Sequence, residues 1–179
     1  MKKYLLNLSR PQRIIIVFAI LSLGFYFYFS KGSLLTQKDA VTVNEQKTNE
    51  GETVIQLQDK DNEEIAKAFP LEMTEKEVMD KIHKMSHQKI VSDKKWGAIP
   101  LTQERVDRLL KVVNNNHYVN AEVYQSILKR WAKKDFSRVD KDHNEIWDLQ
   151  GGTIGIAVGI STPDEEKKFI EENFDVGNE

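Results

Sequence analysis

Histidine is the side chain of this sequence best suited to metal binding or proton transfer near neutral pH, and the chain contains four. His83 and His87 are four residues apart in a segment with helical periodicity, so one helix face would present both to a shared metal ion. Two ligands do not complete a metal site, and the alternative is that both lie at the surface or at the edge of the apolar face. His117 follows three asparagines in a predicted turn and indicates no chemistry.

His143 lies on the apolar face of a later predicted helix, and Asp140 and Asp142 are close to it in sequence. A histidine oriented by a carboxylate can act as a metal ligand or as a general base. These three residues are therefore the candidate catalytic group, and His143 joins His83 and His87 as a candidate metal ligand. The alternative, which we favour, is a buried imidazole whose nitrogens are satisfied by hydrogen bonds.

The stretch GGTIGIAVGI, residues 151–160, has no charged residue and contains four glycines. It lacks the GxxxxGK[ST] pattern of a phosphate loop and has no Lys or Arg, which argues against phosphate binding. As a helix it would align Gly151, Gly155 and Gly159 on one flank, where another helix could pack closely. As a strand it would turn its isoleucines and valine to one side, but the sequence offers few strand partners. We favour the helix and leave a strand or loop open.

Trp96 lies in the predicted loop DKKWGAIP, whereas the other two tryptophans fall at helical core spacing. An exposed tryptophan in a loop is typical of an anchor for a binding partner, and a tryptophan folded beneath the loop would belong to the core. We favour the core and keep Trp96 as the candidate interaction residue.

Helix start signals recur throughout residues 70–179. Thr74 with Glu77 forms a capping-box pattern in MTEKEV, LTQERV places Thr102 similarly, and Pro163 follows a possible cap at Ser161 or Thr162. Apolar residues repeat at helical spacing after each start. The sequence therefore predicts an all-α fold, a compact helical domain of about five helices.

The N-terminal part of the chain has the composition of a membrane anchor. Residues 1–13 contain four basic residues and no acid, and an uninterrupted uncharged run continues to Phe29. We predict a cytoplasmic N-terminus at 1–13, an uncleaved transmembrane anchor helix at 14–30 and a polar tether at 31–69. The domain at 70–179 would then be extracytoplasmic. A cleavable signal peptide is the alternative, although no small-residue cleavage site follows the apolar run closely.

Charge and cysteine usage limit the partners. The whole chain carries −2 and residues 1–30 carry +4, which leaves −6 on residues 31–179. An acidic outer domain disfavours nucleic-acid binding. The absence of cysteine excludes a lipoprotein anchor and disulfides.

Three segments of the chain carry a resemblance: KRWAKKDFSRVDKDHNEIWDLQGGTIG, MTEKEVMDKIHKMSHQK and KWGAIPLT. Together they resemble an uncharacterised family of single-pass membrane proteins from Gram-positive, spore-forming bacteria, classified as a domain of unknown function. The resemblance covers residues 73 to about 174. It implies an anchor followed by a domain and supplies no activity, ligand or catalytic residue.

These observations predict a protein-interaction module at the cell envelope that binds the membrane through residues 14–30 and an unidentified envelope protein through its outer domain. No cofactor is predicted, and the sequence leaves open whether the protein is an enzyme. The alternative is a metal-assisted hydrolase that uses His143 with nearby carboxylates or with His83. An enzyme would gather its polar groups in a cleft, whereas an interaction module would expose an apolar or aromatic patch.

Overall fold

The computed structural model describes residues 38–47, 53–59 and 61–176. The predicted cytoplasmic N-terminus and anchor helix lie outside these residues. Within the described ranges, no helix combines the length and the apolar character needed to cross a bilayer.

The described chain contains six α-helices and five strands. The helices are α1 (Asn62–Ala68), α2 (Glu75–Ser86), α3 (Gln103–Asn115), α4 (Ala121–Ala132), α5 (Val139–Leu149) and α6 (Pro163–Asn173). A short 3₁₀ helix, His87–Lys89, continues directly from α2. The strands are β1 (Ala40–Lys47), β2 (Thr53–Asp59), β3 (Ile90–Val91), β4 (Gly159–Ile160) and β5 (Asp175–Val176).

The strands form two small sheets, so the prediction of an all-α fold is wrong and the fold is mixed α/β. In one sheet β1 lies between β2, which is antiparallel to it, and β5, which is parallel to it. In the other, β3 and β4 are antiparallel. The segment TVIQLQ, residues 53–58, alternates like a strand in the sequence and forms most of β2. The other strands are short or largely polar, and β5 pairs with a strand more than 130 positions away, so no local pattern reveals them.

The hairpin of β1 and β2 occupies much of the segment expected to be a polar tether. Its buried side chains pack against α6 in a small apolar cluster formed by Val41, Ile55, Leu57, Ile170 and Phe174. The Arg105 guanidinium of α3 also binds both carboxylate oxygens of Asp59 in β2. An apolar face and an ion pair therefore fix the two strands to the helices, so residues 40–47 and 53–59, with α1 after them, are structured parts of the segment expected to be a tether.

The helix signals in the sequence are confirmed in most places. Thr74 forms a complete capping box with Glu77, Thr162 forms another with Glu165, and Thr102 caps α3. The helices pack mainly as two pairs, α3 with α4 and α2 with α5. Their inward apolar residues form the main core, which includes Val78, Ile82, Met85, Leu109, Ile127, Trp131 and Ile146. The α2 and α5 pair is the part of this frame that brings the histidines together.

Candidate functional site

Residues 151–158 form a loop that runs back along one face of α5. The Trp147 indole donates to the Ile154 carbonyl at 2.9 Å, and Asn144 exchanges two hydrogen bonds with the Ala157 backbone at 2.8 and 2.9 Å. A third α5 side chain, His143, lies 3.1 Å from the Gly155 carbonyl through Nε2. Side chains of α5 thus hold the loop where a sheet would use a neighbouring strand, and only the two residues after the loop, Gly159 and Ile160, pair as β4.

The helix that we favoured for this stretch is wrong, and so is the role of its glycines in helix packing. Gly151 has φ +69° and Gly155 has φ +93°, values that no right-handed helix contains. A β-carbon on Gly155 would lie 2.8 Å from the Lys94 carbonyl oxygen. Gly155 therefore permits a left-handed turn and a close approach to the loop around Lys94. Gly159 lies in β4 with open space around it.

We predict that Gly155→Ala lowers the free energy of unfolding by about 2 to 3 kcal/mol, because the variant combines backbone strain with a steric clash. Gly159→Ala is the matched control, since its β-carbon would contact nothing within 4 Å, and it should change stability by less than about 0.5 kcal/mol. Urea unfolding of both variants measures the difference. Equal stabilities would contradict the described loop.

The loop exposes its apolar side chains in a regular alternation. Gly155 and Ala157 are buried. The residues between and beside them, which we call the apolar ridge, are exposed: Ile154, Ile156, Val158 and Ile160. This extended segment therefore presents its large apolar side chains to solvent and its small ones to α5, the reverse of the usual arrangement.

Trp96 lies beside the apolar ridge and is 64% exposed. The core position that we favoured for it is therefore wrong. Trp96 and Ile154 both line a cavity of 440 Å³ between α2, the end of α5 and the two loops. Trp96 accordingly shares a surface with Ile154, the first residue of the apolar ridge.

The same cavity reaches the histidines. His83 lies on α2, His87 begins the 3₁₀ helix after it, and His143 comes from α5. The ring centroid of His83 is 4.9 Å from that of His87 and 4.4 Å from that of His143, and one ligand nitrogen of each ring lies within 4.8 Å of the others. The three histidines that were predicted as candidate metal ligands thus form one cluster.

Burial keeps these histidines neutral. Desolvation lowers the pKa of His87 to about 3 and that of His143 to about 4, and it also lowers the pKa of the half-buried His83. Hydrogen bonding to the Gly97 carbonyl opposes the shift at His87 without cancelling it. All three rings therefore carry a free lone pair at neutral pH, which is the form that binds metal ions.

Two of the rings have a fixed orientation. His87 donates through Nδ1 to the Gly97 carbonyl at 2.7 Å, and His83 donates through Nδ1 to the Gln150 side-chain oxygen at 2.6 Å. A neutral imidazole has one donor nitrogen and one acceptor nitrogen, so the lone pair of each ring is on Nε2. Donation from one nitrogen to a carbonyl is the arrangement that commonly orients a metal-binding histidine.

A family model described as a family of unknown function, DUF6241, matches residues 82–171, half of the chain. The chain belongs to this family. The predicted resemblance to a domain of unknown function is thereby confirmed. Comparison with curated proteins and with solved structures gave no match.

The DUF6241 segment contains all three clustered histidines and the complete apolar ridge. The hairpin of β1 and β2 precedes it, although Asp59 and Arg105 join the two. The features of the candidate site therefore lie within the segment that the family model matches.

Asp140 and Asp142, the carboxylates predicted to orient His143, do not contact it. Asp142 is fully buried and pairs with Arg130 at 2.5 Å and Arg138 at 3.3 Å, while its other oxygen accepts from Trp131 at 3.1 Å. The partner of His143 Nδ1 in this DUF6241 domain is Ser86, at 2.7 Å. The carboxylate and histidine arrangement proposed for a hydrolase is thus missing between these described residues.

Sequence reasoning missed the groups that orient the histidines: Ser86, Gly97, Gln150 and Gly155. Two of them act through backbone carbonyls, which no sequence pattern marks. The spacing of His83, Ser86 and His87 at one helix end was the only local signal, because residues three and four apart lie on one face of a helix.

Proposed function

We propose that this DUF6241 protein is an interaction module of the cell envelope that binds another envelope protein through its apolar ridge and Trp96. One observation carries the proposal. Of the seven large apolar side chains exposed in the described residues, six come from residues 149–160 or from Trp96, and Val119 is the other. Exposed apolar side chains gathered on one surface mark binding sites in soluble domains.

The energetics favour burial of this surface by a partner. Complete burial of a Val or Ile side chain contributes about 1.5 to 3 kcal/mol, and the four ridge residues are between 43% and 76% exposed. Buried tryptophans are also frequent among the residues that dominate binding energy. A partner with a matching apolar groove would thus gain affinity from a surface that is already fixed to α5.

A protein partner fits this surface better than the bilayer does. Residues 31–179 carry a net charge of −6, which opposes adsorption to anionic lipids. Asp164 and Glu165 lie in the first turn of α6, shortly after Ile160. The net charge of the domain is thus unsuited to a negatively charged membrane surface.

In this proposal residues 14–30 hold the domain at the outer face of the membrane. The uncharged run ending at Phe29 and the four basic residues before it support that arrangement. The resemblance to single-pass proteins of Gram-positive, spore-forming bacteria supports the same layout and origin. An anchored module meets its partner at a high effective concentration, so even moderate intrinsic affinity suffices.

Photo-crosslinking in the cells that make the protein tests this proposal. A benzophenone amino acid is introduced at Val158 in the ridge, and a matched variant carries it at Val119, which is exposed and apolar but lies outside the ridge. We expect one discrete protein adduct from position 158 and none of that mass from position 119. Lipid adducts alone, a self-adduct alone, or identical products from both positions would contradict the proposal.

A further inference from the structure

We propose that His83, His87 and His143 bind a divalent transition-metal ion, with Zn²⁺ the best match to their chemistry. Three neutral imidazoles are a ligand set that suits zinc and leaves one coordination position for another ligand. The ligands of this site differ from the residues of the partner surface, although His83 and His87 line the same cavity as Trp96 and Ile154.

The spacing of the ligand atoms is close to that of an assembled centre. Zinc binds imidazole nitrogen at about 2.0 to 2.1 Å, so two nitrogens of one tetrahedral centre are about 3.4 Å apart. The three histidines each offer a nitrogen within 4.8 Å of the others. Closing the remaining gap of up to about 1.4 Å requires rotation of the side chains toward the ion.

The orientation of His83 and His87 is already that of metal ligands. Each donates Nδ1–H to a carbonyl oxygen and keeps its Nε2 lone pair for another partner. Among the hydrogen bonds between described residues, none engages either Nε2 atom. Two of the three ligands are thus preorganised, which reduces the conformational cost of binding.

The third ligand, His143, has one proton too few for its contacts. Ser86 Oγ lies 2.5 Å from the His83 carbonyl and 2.7 Å from His143 Nδ1, and His143 Nε2 lies 3.1 Å from the Gly155 carbonyl. These are three hydrogen-bond contacts, but a serine hydroxyl and a neutral imidazole supply only two protons.

A cation at the cluster removes this conflict. If Ser86 donates to the His83 carbonyl, His143 Nδ1–H donates to Ser86, and the Nε2 lone pair then faces the Gly155 oxygen. A metal ion bound at Nε2, about 2.0 to 2.1 Å away, would replace that contact between two acceptors once the Gly155 oxygen has shifted or has itself become a ligand.

The cavity supplies both access and the fourth position. His83 and His87 line the 440 Å³ space together with Asp80 and Lys84, so an ion can enter from solvent. A water molecule or an anionic ligand in that space would complete a tetrahedron. The site is therefore of the open type and not a closed structural zinc site.

Metal titration of the full-length chain, purified in detergent without a polyhistidine tag and stripped with a chelator, tests this proposal. We expect one equivalent of Zn²⁺ to bind in competition with a chromogenic chelator, and Co²⁺ to give the intense visible bands of four-coordinate geometry. His83→Gln is expected to weaken binding at least 100-fold, since removal of outer-shell groups alone costs 10 to 100-fold.

His117→Gln is the matched control, because His117 is exposed and lies outside the cluster. It should bind Zn²⁺ as the parent does. Gln150→Ala, which removes the acceptor that orients His83, should weaken binding about 10-fold or more while the fold is retained. Absence of stoichiometric binding, unchanged affinity in a folded His83→Gln variant, or equal losses in the His83 and His117 variants would overturn the proposal.

Discussion

Asp142→Ala is expected to lower the free energy of unfolding by about 3 to 5 kcal/mol, because removing one member of a buried ion pair leaves the other charge without compensation. Asp142 is fully buried, and its two oxygens bind Arg130 and the Trp131 indole. The carboxylate thus joins α4 to α5 at the centre of the fold. Urea or thermal unfolding of the purified variant measures the loss.

Asp140→Ala is the matched control for this prediction, since Asp140 lies two residues away on the same helix and is only partly buried. We expect it to cost less than about 1 kcal/mol, through its weaker interaction with the helix dipole. If the two variants were equally stable, the ion pair would not form as described, and a role for Asp142 beside His143 would regain support.

Acidification from pH 6.5 to 4.5 is expected to remove about 4 kcal/mol of stability, because two buried histidines must stay neutral in the folded protein. The pKa of His87 is lowered to about 3 and that of His143 to about 4, from 6.5. Between those values and 6.5 the unfolded chain binds more protons than the folded protein. The stability that comes from the neutral histidines is therefore fully present above pH 6.5 and is lost as the pH decreases.

Urea unfolding at a series of pH values, with a chelator present, measures this dependence. His143→Gln should reduce the slope by about 1.4 kcal/mol per pH unit, the value for one proton, while His117→Gln should leave it unchanged. Measurements above pH 4.5 report on the histidines and not on Glu75, because the pKa of Glu75 is lowered from 4.5. A stability that is constant from pH 7 to 5 would be inconsistent with the buried cluster.

The helices could be predicted from the sequence because their determinants are local. Thr74 with Glu77, and Pro163 after Thr162, specify helix starts within four residues, and apolar spacing specifies which face is buried. The core positions of Ile82, Leu109 and other inward residues followed from the same periodicity.

Apart from β2, whose residues alternate like a strand, the strands and the loop could not be predicted, because their partners are distant or unusual. β1 depends on β5 at the other end of the described chain, and residues 154–157 depend on the side chains of α5. Alternating apolar residues in GGTIGIAVGI indicated an extended segment correctly, but a missing strand partner argued against it. No sequence pattern indicated that α5 side chains would serve in place of that strand.

The histidine cluster was predictable only in part. The spacing of His83 and His87 indicated a shared face, whereas the position of His143 depends on how α2 packs against α5. The neighbouring aspartates were misleading, because proximity in sequence placed Asp142 near His143 while helix geometry turned it toward Arg130. Packing between helices thus decided which of the candidate groups meet.

Cysteine accessibility tests the central claim, that the apolar ridge faces outward and binds a partner outside the cell. The chain contains no cysteine, so single substitutions at Ile154, Ile156, Val158 and Val119, and at the buried Ala157, need no altered background. A membrane-impermeant maleimide is applied to the purified chain and to intact cells. In the purified chain we predict fast labelling at every position except 157. In cells we predict that the cysteine at position 119 is labelled, while the bound partner protects the ridge cysteines from the maleimide. Two results would contradict the account. One is that the ridge cysteines react in cells as fast as the cysteine at position 119. The other is that, in the purified chain, the cysteine at position 157 reacts as fast as those at the ridge positions.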